Sequence, residues 1–360
     1  MRRALALAER GRGRTRPNPI VGAVVVRAGR IVGEGWHTAA GRPHAEVVAL
    51  GRAGTRARGA TLYVTLEPCA HTGRTPPCVD AILAAGIRRC VVAMRDPNVI
   101  VNGRGLRRLR AAGVRVELGV CGPEARAALA GYRLAHGSRR PRAVWKLGVT
   151  LDGRIADARG RSRWITGPVA RRAAHRMRAV ADAIVIGAGT ARADDPRLTV
   201  RGGARGGGAR LEPLRVVCDT RLELPGSLRL FGPLARGTVV ACSRGAKAAR
   251  RRALEARGVE VWPLARDRHG VSPRALARRL VAAGCHDVLL ECGPRLGASW
   301  LAAGLVDELA LFLAPSLLGH GALAWSDAIA ARGIGHPIQG RVIERRRVGR
   351  DELLRIEVTR

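Results

Sequence analysis

Short apolar runs alternate with segments of helical spacing along the whole chain, parted by glycine, proline and charged residues. That alternation, with no internal repeat, predicts an α/β architecture. Residues 1–10 read as a helix, too short and too soon charged to be a secretory leader. Pro43 stops the chain ahead of a helix over 44–50, and an apolar strand is expected over 60–66. Cys78 should open a helix running over 79–85. Further on, the pattern predicts a helix over 123–135 and strands over 143–150, 180–187 and 287–290. The polar stretch His136-Gly137-Ser138-Arg139-Arg140-Pro141-Arg142 lies between the helix and the first of these strands, and its proline ends the helix. A chain of 360 residues exceeds the usual limit of one core, so two domains, 1–138 and 142–360, are expected.

No apolar run approaches the length that spans a bilayer, which predicts a cytoplasmic chain with no membrane partner. In that compartment the eight cysteines are not a disulfide framework; Cys90, Cys218 and Cys292, in or beside apolar segments, read as core. The net charge of +36, from 64 basic and 28 acidic residues, would ordinarily point to nucleic acid. Nearly all the basic residues are arginine, however, since lysine occurs only at Lys146 and Lys247. The arginines fall in separate segments of a chain crowded with alanine and glycine, as a coding bias would produce. Aromatics, at 3%, are too few to stack bases. Weak, salt-sensitive adsorption to nucleic acid is therefore expected, and specific recognition is not.

The run Glu67-Pro68-Cys69-Ala70-His71-Thr72-Gly73-Arg74-Thr75-Pro76-Pro77-Cys78 follows His44-Ala45-Glu46. His44, Cys69 and Cys78 offer one imidazole and two thiolates, a ligand set for Zn2+ that leaves the fourth position to water. Glu46 need not bind metal and can shuttle a proton. H-x-E followed by P-C-x-x-C is the pattern of zinc nucleobase deaminases, in which water attacks an amine-bearing ring carbon. Here the second cysteine is displaced from that spacing. The bland alternative is a pair of small buried thiols and a satisfied helix histidine, but three such residues at ligand spacing favour the metal. The strand over 60–66 is expected to deliver Cys69, with two helix N-termini facing the ion.

The second half carries no zinc ligands. Two of its strands end in glycine turns, Gly187-Ala188-Gly189-Thr190 and Glu291-Cys292-Gly293-Pro294-Arg295-Leu296-Gly297-Ala298, each leading into a helix. Such a junction offers free N–H groups to a phosphate or dinucleotide. Neither is a full G-x-G-x-x-G fingerprint, and each taken alone is more often a tight connection. Asp194, just past the first turn, either meets a ligand or caps a turn with Pro196. Lys146 reads either as a functional ammonium or as a solvated strand-end charge.

Together with Pro17-Asn18-Pro19-Ile20-Val21-Gly22-Ala23-Val24-Val25-Val26, the widened cysteine spacing and its Gly73-Arg74-Thr75-Pro76-Pro77 insert resemble the RibD family of bifunctional riboflavin-biosynthesis enzymes. The second half is similar to that family's reductase half. The matches are Lys146-Leu147-Gly148-Val149-Thr150-Leu151-Asp152-Gly153-Arg154, Ser162-Arg163-Trp164-Ile165-Thr166, Gly189-Thr190-Ala191-Arg192-Ala193-Asp194-Asp195-Pro196 and Glu291-Cys292-Gly293-Pro294, in that order. The resemblance implies a cytidine-deaminase-like three-layer domain followed by a dihydrofolate-reductase-like domain. It implies zinc-dependent hydrolytic deamination of 2,5-diamino-6-(5-phosphoribosylamino)pyrimidin-4(3H)-one, then NADPH-dependent reduction of the ribosyl group of 5-amino-6-(5-phosphoribosylamino)uracil to ribityl.

On the family's pattern Asn18, His37, His71 and Arg74 line the pyrimidine and phosphate pocket, although Asn18 and His37 also suit plain turn and loop positions. Val149, Trp164, Thr190, Asp194 and the turn Gly293, Pro294, Arg295, Leu296, Gly297, Ala298 and Ser299 would contact NADPH. Ser162, Arg178, Leu198, Arg201 and Glu291 would hold the ribosyl phosphate, with Arg178 and Arg201 neutralising its charge, and Lys146 joins the substrate side. Pyrimidine ribotides are the implied partners, and a homo-oligomer is expected. Departures from the pattern are Val99 after Asp96-Pro97-Asn98, His320 in place of a glycine, and a Gly- and Arg-rich stretch over 201–210 that reads as a loop. The rival readings are a nucleic-acid deaminase with an Arg-rich accessory domain and a phosphate- or RNA-binding protein with a structural zinc.

Overall fold

The computed structural model describes residues 1–73, 75–200, 211–330 and 335–359. The chain divides into two compact units, Met1–Arg139 and Arg140–Arg360. The first is built on a five-stranded sheet in the order Arg30–Trp36, Gly22–Arg27, Thr61–Val64, Arg89–Val92, Arg115–Leu118. Gly22–Arg27 runs antiparallel to both its neighbours, and the last three strands are parallel. Alternate strand residues point to opposite faces, so one strand feeds two cores. Ala23 and Val25 pack with helices Ala45–Ala53, Cys78–Ala84 and Arg104–Ala111, whereas Val24 meets Ala4 and Leu7 of helix Arg2–Ala8 on the other side. Leu66 and Met94 extend that second face against Ala125, Leu129 and Tyr132. The unit therefore has three layers, helix, sheet and helix. The helix expected over 123–135 is two helices, Gly122–Ala128 and Ala130–Ser138, because Leu129 leaves helical geometry (φ −102°, ψ 21°) while burying its side chain.

The second unit has a nine-stranded sheet in the order Glu260–Leu264, Thr238–Ser243, Leu214–Cys218, Ala183–Gly187, Asp287–Leu290, Arg142–Thr150, Glu308–Ala314, Asp351–Val358, Gly340–Val348. The first seven strands are parallel and the last two antiparallel. Parallel strands covered on both faces read as unbroken apolar runs, which is why Ala183, Ile184, Val185 and Ile186 are all buried. The strand expected over 180–187 begins only at Ala183, since Val180 and Ala181 close the turn that follows helix Pro168–Arg178. Of the cysteines expected in cores, Cys90 and Cys292 are buried and Cys218 is half-buried at the end of its strand. None of the eight cysteines is in a disulfide. Among the described residues no helix is long and apolar enough to cross a membrane.

Candidate active sites

His44 stands at the N-cap of helix Ala45–Ala53, and Cys78 is the first residue of helix Cys78–Ala84. Two helix starts thus face one point, as the prolines predict. Cys69 arrives differently: its strand stops at Val64, and the thiol is carried by the loop beyond. That loop is pinned by Val79 N–H donating to the Cys69 carbonyl (3.2 Å) and Cys78 N–H donating to the Cys69 sulfur (3.3 Å). His44 Nδ1 lies 3.1 Å from Cys78 Sγ and 3.6 Å from Cys69 Sγ, and the three ligand atoms all fall within 4.8 Å of one another. Tetrahedral zinc, with bonds of about 2.0 Å to nitrogen and about 2.3 Å to sulfur, holds such atoms about 3.5–3.8 Å apart. The donor set and its spacing fit the ion. The Thr75 hydroxyl, 3.4 Å from His44 Nε2, steadies the far side of the ring. Hydrogen bonds from Cys78 and His44 draw the Cys69 thiol down, and the neighbouring Cys69 sulfur and burial push Cys78 up.

A cavity of about 320 Å³ opens at this cluster, lined among others by Asn18, His37, Glu46, His71, Asp96 and Tyr132. Glu46 is 3% exposed, and burial pushes its carboxyl up to about 7. His37 is buried as well and is drawn down by desolvation. Its Nδ1 lies 3.2 Å from the Pro43 carbonyl, which can only accept, so Nδ1 carries the hydrogen. Nε2 then accepts from the Asn18 amide at 3.0 Å. Among the wall residues that escaped the sequence reading, besides Glu67 and Thr75, are Asp96, Asn98 and Tyr132. Asp96 is buried, accepts from Tyr132 Oη (3.1 Å) and from Asn98 N–H (2.8 Å), and is pushed up to about 6 by desolvation. The Asp-Pro-Asn turn at 96–98 was the available signal for two of them; Tyr132 is brought in by tertiary packing alone.

In the second unit Lys146, Arg178 and Glu291 converge. Arg178 grips Glu291 through two bonds of 2.6 and 2.7 Å, and Lys146 Nζ stands 3.5 Å from the same carboxylate. Burial alone would raise Glu291, but Lys146 and Arg178 outweigh it and hold the carboxyl down at about 2. Elsewhere in this unit Ser162 Oγ donates to Asp194 Oδ1 (3.3 Å), and Asp194 is the last residue of helix Ala188–Asp194. Gly293, at the N-cap of helix Pro294–Ala302, comes close to Thr190: a Cβ added there would sit 3.9 Å from the Thr190 hydroxyl. Two helix starts on adjacent strands thus flank the charged triad. Trp164 is 65% exposed, with the Arg171 guanidinium 4.4 Å from its ring centroid.

A model of the RibD C-terminal domain matches residues 141–329, and a model of the cytidine and deoxycytidylate deaminase zinc-binding region matches residues 1–94. The riboflavin biosynthesis protein RibD of Aquifex aeolicus is 42% identical over 89% of this chain and 87% of its own. The chain belongs to the RibD family. Among solved structures, Acinetobacter baumannii RibD superimposes with a TM-score of 0.91 at 36% identity, covering 100% of this chain and 98% of that one. A diaminohydroxyphosphoribosylaminopyrimidine deaminase/5-amino-6-(5-phosphoribosylamino)uracil reductase from Thermotoga maritima does so at 0.86 and 34% identity, covering 100% and 97%. Membership makes the chain a bifunctional deaminase and reductase of riboflavin biosynthesis that uses Zn2+ and NADPH, with a cytidine-deaminase-like first unit and a dihydrofolate-reductase-like second unit.

Several positions carried over from the RibD pattern sit differently from what their assignment suggests. Val149 and Leu198 are each 2% exposed, so their side chains fill cores and only their backbone can meet a ligand. Ala298 is buried, Leu296 packs toward Gly187, and Gly297 lies against Trp145, where an added Cβ would fall 2.0 Å from the indole. Gly297 and Ala298 therefore offer a cofactor no open side chain, whereas Gly293, Pro294, Leu296 and Ser299 are half-buried and Arg295 is exposed. Arg178, expected to neutralise a phosphate, already spends its charge on Glu291 and donates also to the Thr199 carbonyl (3.3 Å). Lys146 is not a solvated strand-end charge: it lies within strand Arg142–Thr150, against Glu291. Arg74 and Arg201 lie outside the described residues.

Proposed function

We propose that residues 1–139 deaminate 2,5-diamino-6-(5-phosphoribosylamino)pyrimidin-4(3H)-one and that residues 140–360 reduce the product's ribosyl group to ribityl. The observation that carries the first assignment is the meeting of three ligand atoms within 4.8 Å beside the buried Glu46 carboxyl, in one cavity. Zinc, when held by His44, Cys69 and Cys78, acidifies a water and polarises it for attack. Glu46 takes up that water's proton at its carboxylate, passes it to the ring nitrogen, and later delivers a proton to the departing amine, so that water enters and ammonia leaves. Neutral His37, fixed between Pro43 and Asn18, holds Asn18 at the cavity wall to orient the pyrimidine. His71 and Asp96 close the same wall.

In the second unit NADPH supplies a hydride to the sugar carbon when bound. The sugar oxygen then needs a proton, and Lys146 gives it from an ammonium steadied by Glu291. Arg178 orients Glu291 through its paired bonds. Thr190, in the first turn of helix Ala188–Asp194, and Gly293, at the start of helix Pro294–Ala302, hold the cofactor, Asp194 at the far end of the first helix meets its hydroxyls, and Trp164 offers an exposed ring. Eight cysteines without a disulfide support a reducing, cytoplasmic setting, and sedimentation of the purified chain tests the expected homo-oligomer. The decisive assay measures ammonia release from the pyrimidine ribotide, cytidine and RNA, with NADPH oxidation on the aminouracil ribotide. Release from the ribotide alone is expected; release from cytidine or RNA instead would overturn the reading.

A further inference from the structure

One buried carboxylate in the first unit has no task in this chemistry. Glu67 is 4% exposed and stands two residues before Cys69. Its oxygens accept four main-chain N–H groups from a segment far along the chain. Oε2 receives Asp96 (3.2 Å) and Gly103 (2.9 Å), and Oε1 receives Gly105 (3.0 Å) and Leu106 (3.3 Å). Three of these donors belong to the start of helix Arg104–Ala111, which has Gly103 at its N-cap and no side-chain cap of its own. A helix start presents unpartnered N–H groups and the positive end of the helix dipole, and a carboxylate answers both. The fit is close. A Cβ on Gly105 would lie 2.0 Å from the Pro68 carbonyl oxygen, so glycine lets the helix press directly on the residue between Glu67 and Cys69. The fourth donor is Asp96, whose carboxylate lines the cavity.

We propose that Glu67 is a positioning residue for deamination: it clamps segment 96–106 to the Cys69 loop and so sets the cavity wall of Asp96 and Asn98 against the zinc ligands. The proposal rests on the deaminase reading. Its chemistry is specific to a carboxylate, which accepts at both oxygens. Glutamine in its place has the same shape but turns an NH2 toward two N–H donors whichever way it lies, and two of the four bonds are lost. The wall then shifts while Cys69 keeps its place on the opposite side of the clamp.

The test uses the full chain and reads KM and kcat for ammonia release from the pyrimidine ribotide, bound zinc by elemental analysis, and NADPH oxidation on the aminouracil ribotide. Glu67→Gln should keep one zinc per chain and full NADPH oxidation, while KM for ammonia release rises about tenfold or more and kcat stays within about threefold. Glu67→Asp, which draws the carboxylate back by one methylene, should raise KM by less. Because Glu67 acts through Asp96, Glu67→Gln combined with Asp96→Asn should show a KM close to that of the worse single variant. A Glu67→Gln chain that melts earlier but keeps its KM is merely missing a helix cap, and the clamp is overturned; full additivity with Asp96→Asn overturns it too. Should Glu67→Gln fail to fold, an unchanged KM in Glu67→Asp does the same. Absence of ammonia release by the unaltered chain overturns the deaminase reading and the clamp with it, whereas an unaltered KM in the variants overturns the clamp alone.

Discussion

His44, Cys69 and Cys78 are held by two helix starts and one proline-stiffened loop, whereas Lys146, Arg178 and Glu291 are brought together from positions 113 and 145 residues apart along the chain. The polar residues around the first constellation are satisfied by neutral groups: His37 by a carbonyl and an amide, Glu67 by backbone N–H. The second is satisfied by opposite charge, a carboxylate 7% exposed facing an arginine and a lysine. This difference decides how each fails. Removing a neutral partner costs a hydrogen bond, on the order of 1 kcal/mol, while removing half of a buried ion pair leaves a charge without compensation and costs about 3–5 kcal/mol. Chemistry in the first unit should therefore be separable from folding, and in the second unit the two should fall together.

The sharpest use of that contrast is Glu46→Gln. Deamination should drop by about two to four orders of magnitude, with zinc retained and NADPH oxidation intact; loss of both activities in a folded variant would mean that the two constellations are one site. Arg178→Met, which leaves Glu291 with Lys146 alone of its two cations, should instead lower the stability of the second unit by up to about 3–5 kcal/mol along with its activity. If calorimetry shows a shift well below 1 kcal/mol, charge compensation is not what holds that site. Acid provides a milder version of the same stress. The Glu291 carboxyl is held at about 2 rather than its ordinary 4.5, so its contribution to stability is full above about pH 4.5 and is lost as pH falls through about 2. Glu291→Gln should remove that portion of the acid slope, as read by melting at stepped pH. The smallest effect belongs to Gly297→Ala, which forces a methyl group against Trp145 and should cost about 1–3 kcal/mol without touching deamination.

What could be read from the residues follows the same division. The zinc cluster was legible because Pro43, Pro68 and Pro77 and two helix starts fix it locally, within a few turns of chain. The cavity wall was not, since Asp96 and Tyr132 meet across the unit and Glu67 finds donors 29 to 39 residues away. Residues assigned in the second unit by resemblance came together where charge or a helix start carries them, as at Glu291 and Gly293. Val149 and Leu198 carry no such mark, and an apolar side chain at a strand or turn says nothing about whether its backbone meets a ligand. Element ends blurred for a related reason: Val180 and Ala181 are as apolar as the strand they precede, yet a turn claims them.

Trp164 gives the molecule an optical property of its own. Three of the six indoles, Trp145, Trp262 and Trp300, are buried, Trp36 and Trp325 are half-buried, and Trp164 alone is mostly in water. Its emission should lie at the red edge of the spectrum and be the part that iodide or acrylamide quenches readily, with the Arg171 cation drawing iodide toward it. An unlabelled chain thus reports events at the Trp164 face separately from those in its cores.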